Sequence, residues 1–464
     1  YVSMSNDYEE TIKQYLVGRL NDRITQVESA RDEQIDKLRV MESQRRTNAI
    51  AAFEGFLRRY KRFRTDAQYR EAIADAMFRL AQLHRDEAEF QAELDEDLYD
   101  QRMQEYEWGD RHTPPSAGEV NYRKTLDLYR EVVKEFPEYR YRDMVMYLLG
   151  YFLRQEGKLP ESNTVLEEMT ATYPRSEFAL AGWMLIGHNS YDLDKYKDAI
   201  LAYERVTAVE ENNSSYSDAL YRLGWSCFQE FLYDRAIRTF LSLLEYVETN
   251  KSKLRQSGGL KKEAIESIAS SFVDEDWDGD NFTDPDAGPG RALPYISQGK
   301  SYEKEVLRYY GDLLFDFKKT SYWQDAVTVY REYLRRFPTD EENPLVHDRI
   351  VYSLFELSRS PEVSPAERER YAMMAMEERA RMATLYGKGS EWADIHRYNA
   401  KAIELAQSKL STNLLERAQL LHQAAQESTD PLRAKTLYTQ AAQAFEDYLE
   451  QFPKANDYVE MMRR

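Results

Sequence analysis

The chain has 464 residues, with 82 acidic against 63 basic side chains and a net charge of −19. That charge disfavours general binding to a phosphate backbone, and 18 glycines and 14 prolines are too few for collagen-like, loop-rich or all-β designs. A single cysteine, Cys227, excludes an intramolecular disulfide framework and any multi-cysteine zinc site. Length alone suggests about three globular units. No run of ~18 apolar residues occurs, so no transmembrane helix is expected. The chain opens on Tyr1 rather than Met, as a processed or trimmed product would, which leaves room for a signal or lipid anchor removed upstream.

Residues 1–46 place Ile12, Tyr15, Leu16, Leu20, Ile24 and Val27 at steps of three and four. Those steps predict an amphipathic helix or a short coiled coil. From residue 47 to 272 the spacing predicts an array of helix pairs, with an insert near 85–120 and an irregular loop at 108–118. Ala49, Phe53 and Phe56 suit the second helix of a pair, and Met77–His84 the first helix of the next.

Within this array the chain repeats itself. Met146, Leu149 and Gly150 align without gaps on Trp183, Ile186 and Gly187, and again on Leu220, Leu223 and Gly224. The glycines stand 37 residues apart. Twelve residues after each comes a small side chain (Ser162, Ala199, Ala236), and four further on a large one (Leu166, Tyr203, Phe240). Pro137 and Pro174 keep the same interval. A glycine on one helix and a small residue on the next allow close approach. Neither helix buries its apolar face alone, so the pairs are expected to stack.

This pattern resembles the tetratricopeptide repeat, most closely at Trp183, Ile186, Gly187, Tyr196, Ala199 and Tyr203. Ser190 and Cys227 stand where the family usually has tyrosine, and the period is 37 rather than 34. The resemblance implies an all-α solenoid of helical hairpins with an N-terminal helical extension. It also implies that first helices line a concave groove. Carried over by register, Tyr147, Tyr151, Met184, His188, Tyr191, Tyr221, Trp225 and Phe228 line it. Aromatic rings offer large contact area at low entropic cost, which suits a partner segment. The alternative is that another segment of the chain, such as the N-terminal helix, fills the groove and makes these rings core. The family's two-carboxylate clamp is not evident here.

Residues 273–300 form a second insert, with Asp276, Asp278, Asp280 and Asp284 around Gly279. Alternating carboxylates beside a glycine turn can converge on a hard cation, and the spacing is similar to the calcium loops of thrombospondin type 3 repeats. An EF-hand register from Asp274 fails, because its twelfth position is Pro285. Asp, Gly and Pro equally favour plain solvated turns. No cofactor is required by the sequence; Ca2+ as a brace of this loop is the one ion it suggests.

Residues 301–464 carry degenerate repeats. Ala326, Tyr330 and Pro338, and then Ala441, Phe445 and Pro453, keep the offsets of Ser162, Leu166 and Pro174. Gly311 precedes Ala326 by 15 residues rather than 12, which predicts a turn three residues longer.

Nothing points to catalysis. Six histidines lack metal-ligand spacing, and no Gly-rich phosphate loop, nucleophile elbow or HExxH motif occurs. Cys227 falls in a packed helix, where a core role is expected. The run from Gly259 to Phe272, the Asp-rich insert, and the segments Tyr302–Val306 and Gly311–Phe315 resemble large repeat proteins of myxobacteria. Those include outer-membrane-associated components of gliding machinery. The phrases Tyr330–Pro338 and Phe445–Pro453 are similar to repeats of periplasmic division-coordinator and barrel-assembly proteins. The resemblance implies a periplasmic scaffold of an envelope or motility complex, its partners other proteins, with membrane association only through an anchor or through those partners. A cytosolic peptide-binding adaptor and a calcium-dependent structural module are the alternatives.

Overall fold

A computed structural model describes residues 37–108, 120–250, 257–277, 280 and 282–453, together with 27, 31, 33–35 and 113. All regular structure among them is helical, and no helix among them is long and apolar enough to cross a membrane. The chain divides into two units, Tyr1–Val206 and Thr207–Arg464. The expected helix positions Ile12, Tyr15, Leu16, Leu20 and Ile24 lie outside the described residues; Val27 is exposed.

In the first unit, residues 37–60 form α1, followed by α2 (Ala67–Asp97), α3 (Tyr99–Glu107) and α4 (Arg123–Glu135). Then come α5 (Arg142–Gln155), α6 (Leu159–Thr172), α7 (Ala179–Asp192) and α8 (Tyr196–Thr207). Phe53, Phe56 and Leu57 of α1 pack onto Ile73, Met77 and Ala81 of α2 in one core that also takes Leu126, Tyr129 and Phe152. Helix α2 does not stop at His84 but runs on to Asp97, and α3 continues to Glu107. The reason is local: residues 85–107 hold no glycine or proline and are rich in strong helix formers. Of the loop expected at 108–118, only Trp108 and Thr113 are described.

The second unit holds α9 (Tyr216–Gln229), α10 (Tyr233–Thr249), α11 (Ser257–Val273) and the short α12 (Pro289–Ala292). It continues with α13 (Glu303–Asp316), α14 (Thr320–Arg336), α15 (Asn343–Arg359), α16 (Pro365–Tyr386), α17 (Glu391–Ile395), α18 (Ala400–Glu427) and α19 (Pro431–Gln451).

The interval read from the glycines is also the interval between helices. Helices α5, α7 and α9 start at Arg142, Ala179 and Tyr216, and α6, α8 and α10 at Leu159, Tyr196 and Tyr233, each 37 residues apart. The joint inside each hairpin is the glycine. A Cβ at Gly150 would lie 2.5 Å from Leu166, at Gly187 2.5 Å from Tyr203, and at Gly224 2.6 Å from Phe240. Ser162, Ala199 and Ala236 are fully buried, and the Ser162 hydroxyl donates to the Gly150 carbonyl at 2.7 Å. The spacing therefore encodes a ring or Leu side chain lying flat on a bare stretch of helix.

The longer turn expected after Gly311 does not exist. Helix α14 starts 17 residues after α13, as α6 does after α5, and only residues 317–319 lie between α13 and α14. The three extra residues are in α14 itself, ahead of Ala326. Three residues are nearly one helical turn, so Tyr330 still comes round to Gly311, 2.6 Å from a Cβ there. Inside the helix each added residue also gains a backbone hydrogen bond, which an enlarged loop would not give.

The turn within the hairpins α5/α6, α7/α8, α9/α10 and α13/α14 is set by one left-handed residue. Gly157, Asp194, Phe231 and Lys318 have φ of 70°, 57°, 59° and 54°. The residue after it bonds back into the preceding helix in three of them: Lys158 N–H to Leu153 O, Lys195 to Ser190 and Leu232 to Cys227, at 2.8–2.9 Å. This left-handed helix stop favours glycine, yet only the first copy has one. Phe231 is the bulkiest residue to occupy it and is 54% exposed. Phe231→Gly is therefore expected to stabilise the protein by about 1 kcal/mol, an increase readable as a higher urea midpoint.

Helices α15 and α16 are joined by a buried polar group. His347 Nε2 lies 3.0 Å from Glu378, which also takes Arg331 at 2.9 Å and Arg381 at 3.2 Å. Burial alone would raise the Glu378 carboxyl. The His347 hydrogen bond and charge, with the two arginines, outweigh burial and lower it from 4.5 to about 2. Above pH 4.5 the carboxylate is ionised folded or unfolded, and its contribution is complete. Below that the unfolded chain takes the proton first, so stability is lost as pH falls from about 4.5 towards 2. Glu378→Gln is expected to flatten that part of an acid-unfolding curve, as followed by circular dichroism.

Candidate functional site

The aromatic positions share one register. Tyr147, Met184 and Tyr221 stand 37 residues apart, as do Tyr151, His188 and Trp225, and Arg154, Tyr191 and Phe228. Within a helix, i, i+4 and i+7 fall on one face. Each first helix thus presents three such positions on one side, with its glycine, at i+3, on the inner edge of the same face.

In the first unit, Tyr147 stacks on Phe178 at 5.4 Å, and Tyr151, 37% exposed, meets the edge of Phe152. Met184 is 7% exposed and belongs to the interior. His188 is half-buried and turns its Nδ1 to the Tyr203 hydroxyl at 3.0 Å, so it engages the second helix of its own hairpin. Tyr191 packs edge-on to Tyr196 at 5.2 Å. Arg154 holds the register of Tyr191 and was not among the expected residues. Its two Nη atoms donate to Asn189 and Asp192, both at 2.7 Å, tying α5 to α7. The 37-residue step to Tyr191 was the available signal for it.

In the second unit, Tyr221, Trp225 and Phe228 run as a line of edge-on rings, with Phe240 beneath the first two and Tyr233 beyond the third. All three are half-buried, so each keeps part of its ring at the surface. Burial and the neighbouring Glu263 carboxylate raise the Tyr221 phenol. The Trp225 indole N–H is buried and lacks a hydrogen bond of normal geometry. Counted from the start of α13, the same three positions are Arg308, Asp312 and Phe315. There the face becomes charged: Arg308 bonds Asp312 at 2.9 Å, and Arg349 reaches Asp312 and covers the Phe315 ring at 5.2 Å.

The line of rings continues through Tyr233 to Trp277 and Tyr295 of the Asp-rich insert. Asp276 accepts from the Asp280 N–H at 3.2 Å and Asp280 from the Phe282 N–H at 2.9 Å, while Asp278 lies outside the described residues. Asp284 is held by the Trp277 N–H at 2.8 Å and by Arg291 at 2.6 Å. Those contacts lower its carboxyl, the Trp277 backbone bond most. Arg291 also reaches the Asp274 carbonyl at 2.8 Å and lies 3.9 Å over the Trp277 ring. A guanidinium thus bridges two ends of the loop, a contact the sequence reading did not include. No three of the described His, Cys, Asp or Glu side chains converge as metal ligands.

Cys227 is fully buried, and burial pushes its thiol up to about 12. A thiol held that high is not ionised near neutrality and makes a poor nucleophile.

The tetratricopeptide repeat family matches residues 184–250. Comparison with curated protein sequences finds no match. Among solved structures the chain is similar to the C-terminal part of a repeat-containing protein from Cytophaga hutchinsonii (13% identity, 68% of this chain and 100% of that one, TM-score 0.26). It is also similar to a tetratricopeptide repeat protein from Parabacteroides merdae (12%, 75% and 98%, TM-score 0.27). A third is the apo quorum sensor NprR of B. thuringiensis (15%, 73% and 94%, TM-score 0.27). The tetratricopeptide match over 184–250 falls on hairpins joined at glycine, and the same joint recurs every 37 residues across α5 to α10.

Proposed function

We propose that the chain is a non-catalytic scaffold that holds a segment of a partner protein along the first helices α9 and α13 of its second unit. The observation that carries this is the line Tyr221, Trp225 and Phe228, three adjoining rings that stay half-buried where a core would seal them. Large rigid rings at a surface are the usual anchors of a protein interface. The register change to Arg308 and Asp312 on α13 gives the partner a second chemistry: an apolar or aromatic stretch for one face and a charged one for the other. Tetratricopeptide repeats support protein binding in general. The envelope or motility setting, on the periplasmic side of the outer membrane, is supported by the resemblance of Tyr330–Pro338 and Phe445–Pro453 to repeats of envelope proteins.

The test is affinity purification with cross-linking from the native organism, comparing wild type with Tyr221→Ala/Trp225→Ala. Envelope proteins cross-linked near these residues, and lost in a variant that keeps its helical signal, are the expected result. An unchanged partner set would overturn the aromatic face as the docking surface. A partner set confined to cytosolic proteins would overturn the periplasmic setting.

A further inference from the structure

We propose that α1 pairs, antiparallel, with α1 of a second copy of this chain, so that the protein forms a dimer through its first unit. Residues 35, 38, 42, 45, 49, 52 and 56 advance by alternating steps of three and four, the seam of a coiled coil. All seven are helical and none is buried. Ile35 and Leu38 are 41% and 64% exposed, and a helix turns an apolar stripe of this kind towards a neighbour that covers it. The seam shares no residue with the aromatic face and stands independently of that reading.

The surface is a joint without its cover. In α6, α8 and α10 a small residue and a large one four positions on are sealed under the first helix of the same hairpin, and all six side chains are fully buried. Ala49 and Phe53 repeat that pair on α1, yet both are only half-buried. The place of the first-helix glycine, twelve residues before Ala49, falls on Lys37, which belongs to α1 itself. Helix α1 thus runs straight through the span that a covering first helix would occupy. What stays open is a groove of about 630 Å3 between α1 and α2, where Ala49, Ala52, Phe53 and Phe56 meet Ala72 and Ala76.

Size and charge choose the occupant and its direction. The seam begins with large side chains, Ile35 and Leu38, and continues to small ones, Ala49 and Ala52, with Glu42 and Arg45 between them. Laid antiparallel on itself about a centre between residues 43 and 44, it sets Leu38 of one copy on Ala49 of the other, Ile35 on Ala52, and Glu42 on Arg45. Each contact occurs twice, as a two-fold axis requires. Large side chains then enter the groove that the alanines leave, and opposite charges meet at the centre. A parallel pair would set Glu42 on Glu42, Arg45 on Arg45 and alanine on alanine, which adds repulsion and leaves a gap. The Glu42 side chain is 75% exposed and holds only a 3.4 Å contact with Arg46, which Glu87 takes more closely at 2.8 Å. A polar layer within an apolar seam fixes register at some cost in stability.

The experiment is sedimentation velocity of the full chain across a concentration series. Wild type is expected to form a dimer. Leu38→Asp is expected to give a monomer whose helical circular dichroism is unchanged, since Leu38 is exposed in a single copy. Arg45→Glu sets carboxylates against each other and is expected to weaken the dimer about tenfold or more. Glu42→Arg/Arg45→Glu exchanges both charges, re-creates the opposite pairs and is expected to restore it. Removal of residues 1–26 and Tyr221→Ala/Trp225→Ala are each expected to leave the dimer as it is. The proposal is overturned if wild type is monomeric at every concentration, if Leu38→Asp leaves the dimer intact, or if the double exchange fails to recover what Arg45→Glu loses. It is overturned equally if removing residues 1–26, or changing Tyr221 and Trp225, abolishes the dimer, because the paired surface would then lie elsewhere.

Discussion

Arg336→Met is expected to destabilise the second unit by about 3–5 kcal/mol, the loss typical when one member of a buried ion pair is removed. The Arg336 and Glu303 side chains are 9% and 5% exposed and bond at 2.8 Å. Arg336 also donates to the Ile296 carbonyl at 2.9 Å and to Glu332 at 2.6 Å, while Glu303 takes the Gly299 N–H at 2.7 Å. Without the guanidinium, a carboxylate at the start of α13 stays buried with one amide for company, and a carbonyl loses its donor. Arg336→Met/Glu303→Leu removes both charges and is expected to recover a large part of the loss, since an apolar pair of similar volume often replaces a buried ion pair at little cost. Urea unfolding of the two variants decides it. If the double variant costs as much as the single, the two side chains do not act as a unit.

Gly224→Val tests the joint inside a hairpin. Its Cβ would lie 2.6 Å from Phe240 Cε1 and 2.7 Å from Cζ, distances at which something must move. Phe240 is fully buried. The cost is expected at or above the upper end of the ~1–3 kcal/mol of an overpacked core. Phe240→Leu is expected to relieve part of it, because a smaller side chain vacates the space the new methyl groups enter. The two substitutions should therefore be strongly non-additive, by about 1 kcal/mol or more. Purely additive costs would mean that the glycine is there for some reason other than the ring above it.

The hairpins were legible in the sequence because a contact between a backbone and a ring needs both partners at fixed offsets. Gly150 with Leu166, Gly187 with Tyr203 and Gly224 with Phe240 are written as glycine, small residue and large residue at constant spacing. Lone residues left no such trace. The left-handed turn position holds Gly, Asp, Phe and Lys in its four copies, so its shared geometry was invisible. Helix α2 was read as ending too early because a helix stop was assumed where no stop signal stood. The aromatic positions were legible as a register but not as a site. Spacing placed Met184 with Tyr147 and Tyr221, whereas exposure, which depends on what packs over each side chain, put it inside. The acidic run around Asp280 was legible as charge, but its counter-charge was not: Arg291 reaches Asp284 and Asp274 only once the loop has folded back on itself.

The constant 17-residue step from first to second helix, held in α5/α6, α7/α8, α9/α10 and α13/α14, has a consequence for how such a chain grows. A change in length inside a hairpin survives only as nearly whole turns of helix, as in α14. A block of 37 residues, by contrast, brings its own glycine, its own ring and its own turn. Duplicating or deleting one such block leaves the phase of the helices on either side unaltered. The repeat is therefore a unit of inheritance as well as of packing, and the chain can lengthen by copying it without renegotiating any joint already made.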